Sequence, residues 1–282
     1  MPTTSPEQAG HPEPEPRALH LARQVAESFG SDAERYDRTR PRYPDALIDR
    51  IVAGSPGRDV LDVGCGTGIV ARQLQAAGCR VLGVDPDERM VEFAREHGLE
   101  AEVAKFEDWD ASGRDFDAVV AGMTWHWVDQ VAGAAKAAAV LRPGGRLALF
   151  WNASETPPDL REAFAEVHRR VLPPDSPLGR GAAPGLDRYA DAMCGNAAGG
   201  MQQAGGFGDS ERWRFDWDRS YTRDQWLELV PTFGGIGGWL PPETLRELLA
   251  GIGAVIDAAG GSFTVRYAAV AVTATRTAPC PT

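Results

Sequence analysis

Two hydrophobic periods take turns along the first half of this chain. Short apolar runs of strand composition stand at 60–63, 80–85, 100–104, 116–122 and 146–151, bounded by glycine, proline or acidic residues. Helix-period sequence fills the intervals at 71–76, 88–97 and 131–141. Alternation at this spacing predicts an α/β fold, a doubly wound, mostly parallel sheet with helices on both faces. Ahead of it, 45–53 reads as a helix capped by Asp45 with Leu47, Ile48 and Ile51 inward. A helix at 18–29 carries Leu19, Ala22, Val25, Ala26 and Phe29 on one face, and a helical turn at 33–37, capped by Ser31 or Asp32, stops before Pro41 and Pro44.

The second half has a different texture. One clear helix is predicted at 159–171, followed by glycine- and alanine-rich sequence from 178 to 208. At 211–217 apolar and charged residues alternate, predicting a strand with one buried face, whose partner is 263–272. Helices at 223–230 and 242–259 lie between them. This pair completes a seven-strand sheet with an antiparallel edge. Residues 1–17, rich in proline and glutamate, cannot bury a core and are expected to be disordered.

The chemistry centres on Val60-Leu61-Asp62-Val63-Gly64-Cys65-Gly66-Thr67-Gly68-Ile69-Val70, a strand running into a glycine-dense turn that opens a helix. About twenty residues on, Asp85 ends a second strand, where the acid of a ribose-binding βαβ unit belongs. The pattern points to a nucleoside-binding loop; the plainer alternative is a glycine-rich turn in another α/β protein. Ile69 stands where a dinucleotide fingerprint has its third glycine, which disfavours NAD(P). Asp62, two residues before the first glycine, suits a phosphate-free ligand with a cationic amino group, the character of S-adenosylmethionine.

Asp62 to Gly68, Asp85 and the later Leu141-Arg142-Pro143-Gly144-Gly145-Arg146-Leu147 resemble core motifs of the class I S-adenosylmethionine-dependent methyltransferases. Ser28-Phe29-Gly30, Tyr36-Asp37, Arg40-Pro41-Arg42-Tyr43-Pro44 and Trp125-His126-Trp127 resemble, more narrowly, the actinobacterial small-molecule branch related to trans-aconitate methyltransferase. The resemblance covers most of 28–152 and is loose beyond. It implies a Rossmann-like methyltransferase fold with an N-terminal helical lid at 18–44, a cofactor-binding core at 45–152, a substrate cap inserted at 153–210, and the remaining core strands at 211–282.

The same resemblance implies roles. Backbone N–H groups of Gly64, Cys65, Gly66 and Gly68 would receive the methionine carboxylate, Arg40 would assist, and Asp62 would offset the ammonium. Asp85 would hold the ribose hydroxyls, with Pro86 beside it and Met90 against the adenine. Glu107 or Asp108 would reach the adenine amino group, although Lys105 occupies a position where a small acid is common, and Phe106 is the alternative contact by stacking. Tyr36 and Tyr43 would line the mouth of a lid, or else belong to a surface loop. Met123, Trp125, His126 and Trp127 stand after the fourth strand; the tryptophans would wall the sulfonium methyl, and His126 is either a general base or a structural residue. Asn152 ends the fifth strand at the ligand edge. Trp226, Phe233 and Trp239 are candidates for an aromatic acceptor pocket together with Trp125 and Trp127. Glu166, His168, Met193 and Met201 are candidates of the cap, against the simpler reading of solvated face and gap-filling.

Composition narrows the field. A net charge of -11 over 282 residues, with no basic cluster, argues against nucleic acid. No run is apolar for the length of a membrane span and no signal pattern opens the chain, so the expectation is cytoplasmic. Cys65, Cys79, Cys194 and Cys280 lack ligand or disulfide spacing, and no metal is expected. The reading is a methyltransferase acting on a small, apolar or aromatic molecule, expected to belong to secondary metabolism, by in-line transfer. A cofactor-binding cyclase or isomerase without methyl transfer and an NAD(P)-dependent oxidoreductase are the alternatives. The leading helix also permits a homo-oligomer.

Overall fold

The computed structural model describes residues 29–172 and 185–277. The 1–17 tail, nearly all of the 18–29 helix, Cys280 and the stretch 173–184 lie outside the described residues.

Seven strands form one sheet: β1 Asp59–Val63, β2 Arg80–Asp85, β3 Glu100–Val103, β4 Phe116–Gly122, β5 Leu141–Glu155, β6 Glu211–Thr222 and β7 Ser262–Thr275. Their order is β3-β2-β1-β4-β5-β7-β6, the first five parallel and β7 antiparallel to both neighbours. The helices are α1 Ala33–Thr39, α2 Asp45–Ala53, α3 Ile69–Ala76, α4 Glu88–Glu96, α5 Gln130–Val140, α6 Pro158–Val171, α7 Leu186–Ala204, α8 Arg223–Leu229, α9 Ile236–Trp239 and α10 Pro242–Ala258.

Side chains of the central strands alternate between two apolar layers. Leu61, Val63, Val119, Ala121, Leu147, Leu149 and Trp151 face one layer, with α5 and α7. Val60, Ala118, Val120, Ala148 and Phe150 face the other, with α2, α3 and α4. Asp62 has the parity of Val60 and so is turned toward α3. Asp129 caps α5 through the Val131 and Ala132 N–H groups, and Asp32 caps α1. Asp45 does not cap α2: Pro44 holds that position and Asp45 is the first helical residue.

Three features differ from the sequence expectation. First, β5 does not stop at Asn152. It runs to Glu155, because the 14-residue β7 supplies ladder partners as far as Arg266. Second, the glycine-rich stretch becomes helix α7 over 19 residues. Leu186, Ala190, Cys194, Ala197 and Met201 recur at helical spacing and are buried against the sheet. The small residues allow a close approach to α5: a Cβ on Gly200 would lie 2.4 Å from the Gln130 carbonyl oxygen. Tertiary burial therefore outweighs the poor helix propensity of glycine. Third, a separate apolar cluster forms beyond the sheet from Phe164 and Val167 of α6, Trp226 and Leu229 of α8, Leu248, Ile252 and Ile256 of α10, and Tyr221, Phe263 and Val265 of the paired strands β6 and β7. The cap is thus assembled around α6 and α8–α10.

Residues 30–43 cross between core and cap. Gly30 N–H donates to Asp87 (3.1 Å), Asp37 pairs with Arg72, Arg38 pairs with Glu228 (2.6 Å), and the Arg40 guanidinium donates to the Thr232 carbonyl. The Gln73 side chain exchanges two hydrogen bonds with the backbone of Tyr43.

Candidate functional site

The sheet order reverses between β1 and β4, and a cleft opens at the carboxyl ends of these strands, where open α/β sheets bind ligands. Left-handed glycines shape its floor: Gly64, Gly66 and Gly68 have φ of +65°, +52° and +86°. A Cβ at Gly64 would sit 2.1 Å from Thr124 Oγ1, whereas one at Gly66 would meet nothing within 4 Å. The first glycine permits a close packing contact; the second leaves a bare surface. Met123, just past β4, is held at φ +57°, a conformation that a side chain disfavours, and its N–H donates to Phe150.

The cleft has two lobes that share Gly64. The wide lobe, of about 700 Å³, is lined by Val84, Pro86, Asp87, Lys105, Phe106, Glu107, Asp108, Thr124 and Trp127, among others. The narrow lobe, of about 100 Å³, is lined by Tyr36, Arg40, Tyr43, Asp62, Cys65, Gly66, Met123 and Asn152, together with Thr67, Ser154, Phe233 and Tyr267.

Asp62 is the electrostatic centre of the narrow lobe. It is 1% exposed, and its Oδ2 is buried without a hydrogen-bond partner. Burial, reinforced by the nearby Asp85, pushes its carboxyl up to about 8, while the Ala71 N–H pulls it back. Across the lobe, the Arg40 guanidinium lies 5.0 Å from the Tyr36 ring and 5.4 Å from Phe233, and its Nε is buried without a partner. Asn152 Nδ2 donates to the Arg42 carbonyl at 3.4 Å, leaving a buried, unpartnered Oδ1. Tyr267 bonds Tyr221 through their hydroxyls (2.7 Å) and stacks on Trp217. Burial raises the Tyr43 phenol well above its ordinary value.

Several expected site residues lie elsewhere or are otherwise engaged. The N–H groups of Gly64 and Cys65 donate to Val84, that of Gly66 to Asp85 and that of Gly68 to Cys65, so four donors proposed for a carboxylate close the loop itself. Both Asp85 oxygens accept backbone N–H bonds, from Asp87 and Gly66 (2.9 Å each), and Asp85 lines neither lobe; burial holds its carboxyl at about 6. Gly68 is the N-cap of α3, outside both lobes. Met90 is 3% exposed and also lines neither, because α4 turns it inward. Trp125 is fully buried among core side chains, and Trp127 borders the wide lobe instead of the narrow one. His126 lines neither lobe. Its Nδ1 accepts from Trp151 Nε1 at 3.3 Å, and the protein packed around the ring lowers its pKa although the residue as a whole is exposed; protonating Nδ1 would break that hydrogen bond.

Glu107 accepts from the Asp129 N–H at 2.9 Å, leaving Asp108 the less committed of the two acids. Among the aromatic candidates, Phe233 lines the narrow lobe and Trp226 lies within the cap core. Glu166 pairs with Arg169 at the surface, His168 donates to the Phe164 carbonyl, and Met201 is core. Tyr267 and Ser154 were not anticipated. The signal for Tyr267 was the alternation of Phe263, Val265 and Tyr267 within the expected strand, and Ser154 lies just past the expected end of β5. Among the described residues, no cluster of ligating side chains could hold a metal and no helix is long and apolar enough to cross a membrane.

The family model for a methyltransferase domain matches residues 60–145. The chain is 40% identical over 133 residues to an uncharacterised methyltransferase of Mycobacterium tuberculosis, covering 46% of this chain and 54% of that one. It is 32% identical over 155 residues to a malonyl-[acyl-carrier protein] O-methyltransferase of Enterobacter lignolyticus (52% and 60% covered). Over 95 residues it is 41% identical to a trans-aconitate 2-methyltransferase of Mycolicibacterium gilvum (33% and 36% covered). The chain spans about half the length of the first curated relatives it matches. Among solved structures, a candidate type II methyltransferase from Anaeromyxobacter dehalogenans superposes with a TM-score of 0.59 at 23% identity, over 84% of this chain and 97% of that one. At that identity the likeness speaks for the fold.

Proposed function

We propose that this chain, whose residues 60–145 match the model of a methyltransferase domain, is a class I, S-adenosylmethionine-dependent enzyme that moves a methyl group from that cofactor to a small acceptor seated between the glycine loop and the cap. The observation that carries the reading is the buried, unpartnered oxygen of Asp62 at the floor of the narrow lobe, a carboxyl group with no partner in the protein for one of its oxygens. The bare surface over Gly66 gives a ligand room to lie against the loop. Both fit the amino acid arm of S-adenosylmethionine, and the wide lobe has the volume for its nucleoside.

When bound, the cofactor supplies a sulfonium-activated methyl group. The chain's own residues bind, align and exclude water. Asp62 receives the α-ammonium. Arg40, with Nε unpartnered, takes the carboxylate in place of the engaged loop N–H groups. Phe106 and Pro86 wall the base, and Asp108 is the acid placed to meet its amino group. Phe233 and Tyr267, on the cap side of the narrow lobe, offer rings beside the cofactor arm, which supports a small aromatic or apolar acceptor, of the kind met in secondary metabolism. Asn152 Oδ1 accepts a hydrogen bond from that acceptor. His126 lies outside the lobes and the phenol of Tyr43 stays neutral, so catalysis rests on proximity and alignment in a dry cleft.

Calorimetric titration with S-adenosylhomocysteine and with NAD tests the cofactor. Binding of the first alone is expected; binding of NAD, or of neither, overturns the reading. Mass spectrometry of acceptors incubated with S-adenosylmethionine tests the reaction: transfer adds one methyl, whereas an unchanged mass in a rearranged product would reassign the protein as an isomerase.

A further inference from the structure

We propose that Asp62 holds a proton in the ligand-free cleft and surrenders it to solvent when an ammonium-bearing ligand occupies the narrow lobe, so that this carboxylate selects for the amino acid arm and couples its binding to pH. The inference rests on the cofactor reading above.

The geometry makes two charge states unequal. Asp62 projects from β1 toward α3 with 1% of its surface exposed, and one of its oxygens has no donor. An ionised carboxylate in that position is poorly compensated. The titratable groups facing it are Asp85 from β2, Cys65 from the glycine loop and Tyr43 from the crossing segment, none of them cationic. Asp85 is the better solvated of the two acids, with an N–H on each oxygen, so it takes the negative charge first and disfavours a second. From α3 only the Ala71 N–H favours ionised Asp62. The cation across the lobe, Arg40, is turned to the Thr232 carbonyl and the rings of Tyr36 and Phe233.

An arriving ammonium changes the balance. The O–H bond of Asp62 breaks, the proton passes through the cleft mouth to buffer, and the carboxylate and ammonium form a buried pair; nothing is oxidised or reduced. With the carboxyl near 8, about nine-tenths of a proton leaves per ligand at pH 7. Between pH 6.5 and 7.5 the ionised fraction, and with it the affinity for the ammonium ligand, rises by about eightfold.

The test is calorimetry of the wild type with S-adenosylhomocysteine, which carries the ammonium, and with 5′-methylthioadenosine, which lacks it, in buffers of different ionisation enthalpy between pH 6.5 and 7.5. Close to one proton released with the first and little with the second supports the proposal. Asp62→Asn should bind methylthioadenosine as the wild type does, and bind S-adenosylhomocysteine more weakly with no pH slope. Binding of S-adenosylhomocysteine without proton release, or equal release with both ligands, overturns the proposal while leaving the cofactor reading intact. Absence of any S-adenosylhomocysteine binding removes the cofactor reading itself. The two-ligand comparison on the wild type stands even if the variant misfolds.

Discussion

Asp62→Asn should make the ligand-free protein more stable at pH 8 than the wild type, by an amount that grows with pH. The sign follows from linkage. Burial raises the folded-state carboxyl from 3.8 to about 8, so between those values the folded protein holds a proton that the unfolded chain has lost. Wild-type stability therefore falls as pH rises through this window, and asparagine, which carries no such proton, removes the fall. Between pH 6 and pH 8 the integrated difference is about 2 kcal/mol. Asp85 titrates near 6 in the same direction, but it is present in both proteins and largely cancels. Urea unfolding followed by tryptophan fluorescence at pH 6, 7 and 8 measures the difference directly. Parallel stability profiles for the two proteins would refute the argument, because they would mean that Asp62 is ionised or solvated in the folded state. Saturating S-adenosylhomocysteine should reverse the order of stability at pH 8, since only the wild type pairs its ammonium.

Gly64→Ala should cost upward of about 2 kcal/mol and abolish cofactor binding, because it combines a left-handed φ with a Cβ 2.1 Å from Thr124 Oγ1; a soluble variant with wild-type affinity in calorimetry would contradict this. His126→Ala should leave cofactor affinity and turnover within about threefold of wild type, since the ring lines neither lobe; a loss of two orders of magnitude in kcat would return it to the role of general base. Gly200→Ala should destabilise by about 1–3 kcal/mol in thermal or urea unfolding by pushing α7 off α5, with ligand affinity unchanged.

The parallel half of the fold was readable because each strand and helix of 60–151 is short, amphipathic or wholly apolar, and punctuated by glycine or an acid. That Asp62, Gly64 and Arg40 border one cleft follows from a local turn and an adjacent segment, whereas the engagement of the Gly64 N–H by the Val84 carbonyl does not. Helix α7 was obscured because its glycines have poor helix propensity and its alanines mark no strong apolar face, and only burial between α5 and the sheet makes smallness an advantage. The segment 153–210, expected as one inserted cap, packs in two places, α6 with α8–α10 and α7 on the sheet, because these partners are brought together only in space. Asp85 looked available from its place at the end of β2; that the loop N–H of Gly66 folds back onto it is a tertiary fact. Trp125, His126 and Trp127 share a single helical turn, whose tight geometry sends one ring into the core and one to the wide lobe.

The cap's apolar cluster closes largely on itself and meets the narrow lobe through Phe233 and Tyr267. Most substitutions among its sixteen buried members, such as Leu248 or Ile252, therefore touch neither the glycine loop nor Asp62. On the proposed reading, the acceptor would be selected above and the cofactor held below, so a chimera carrying a foreign 223–258 segment should keep its affinity for S-adenosylhomocysteine while its acceptor changes.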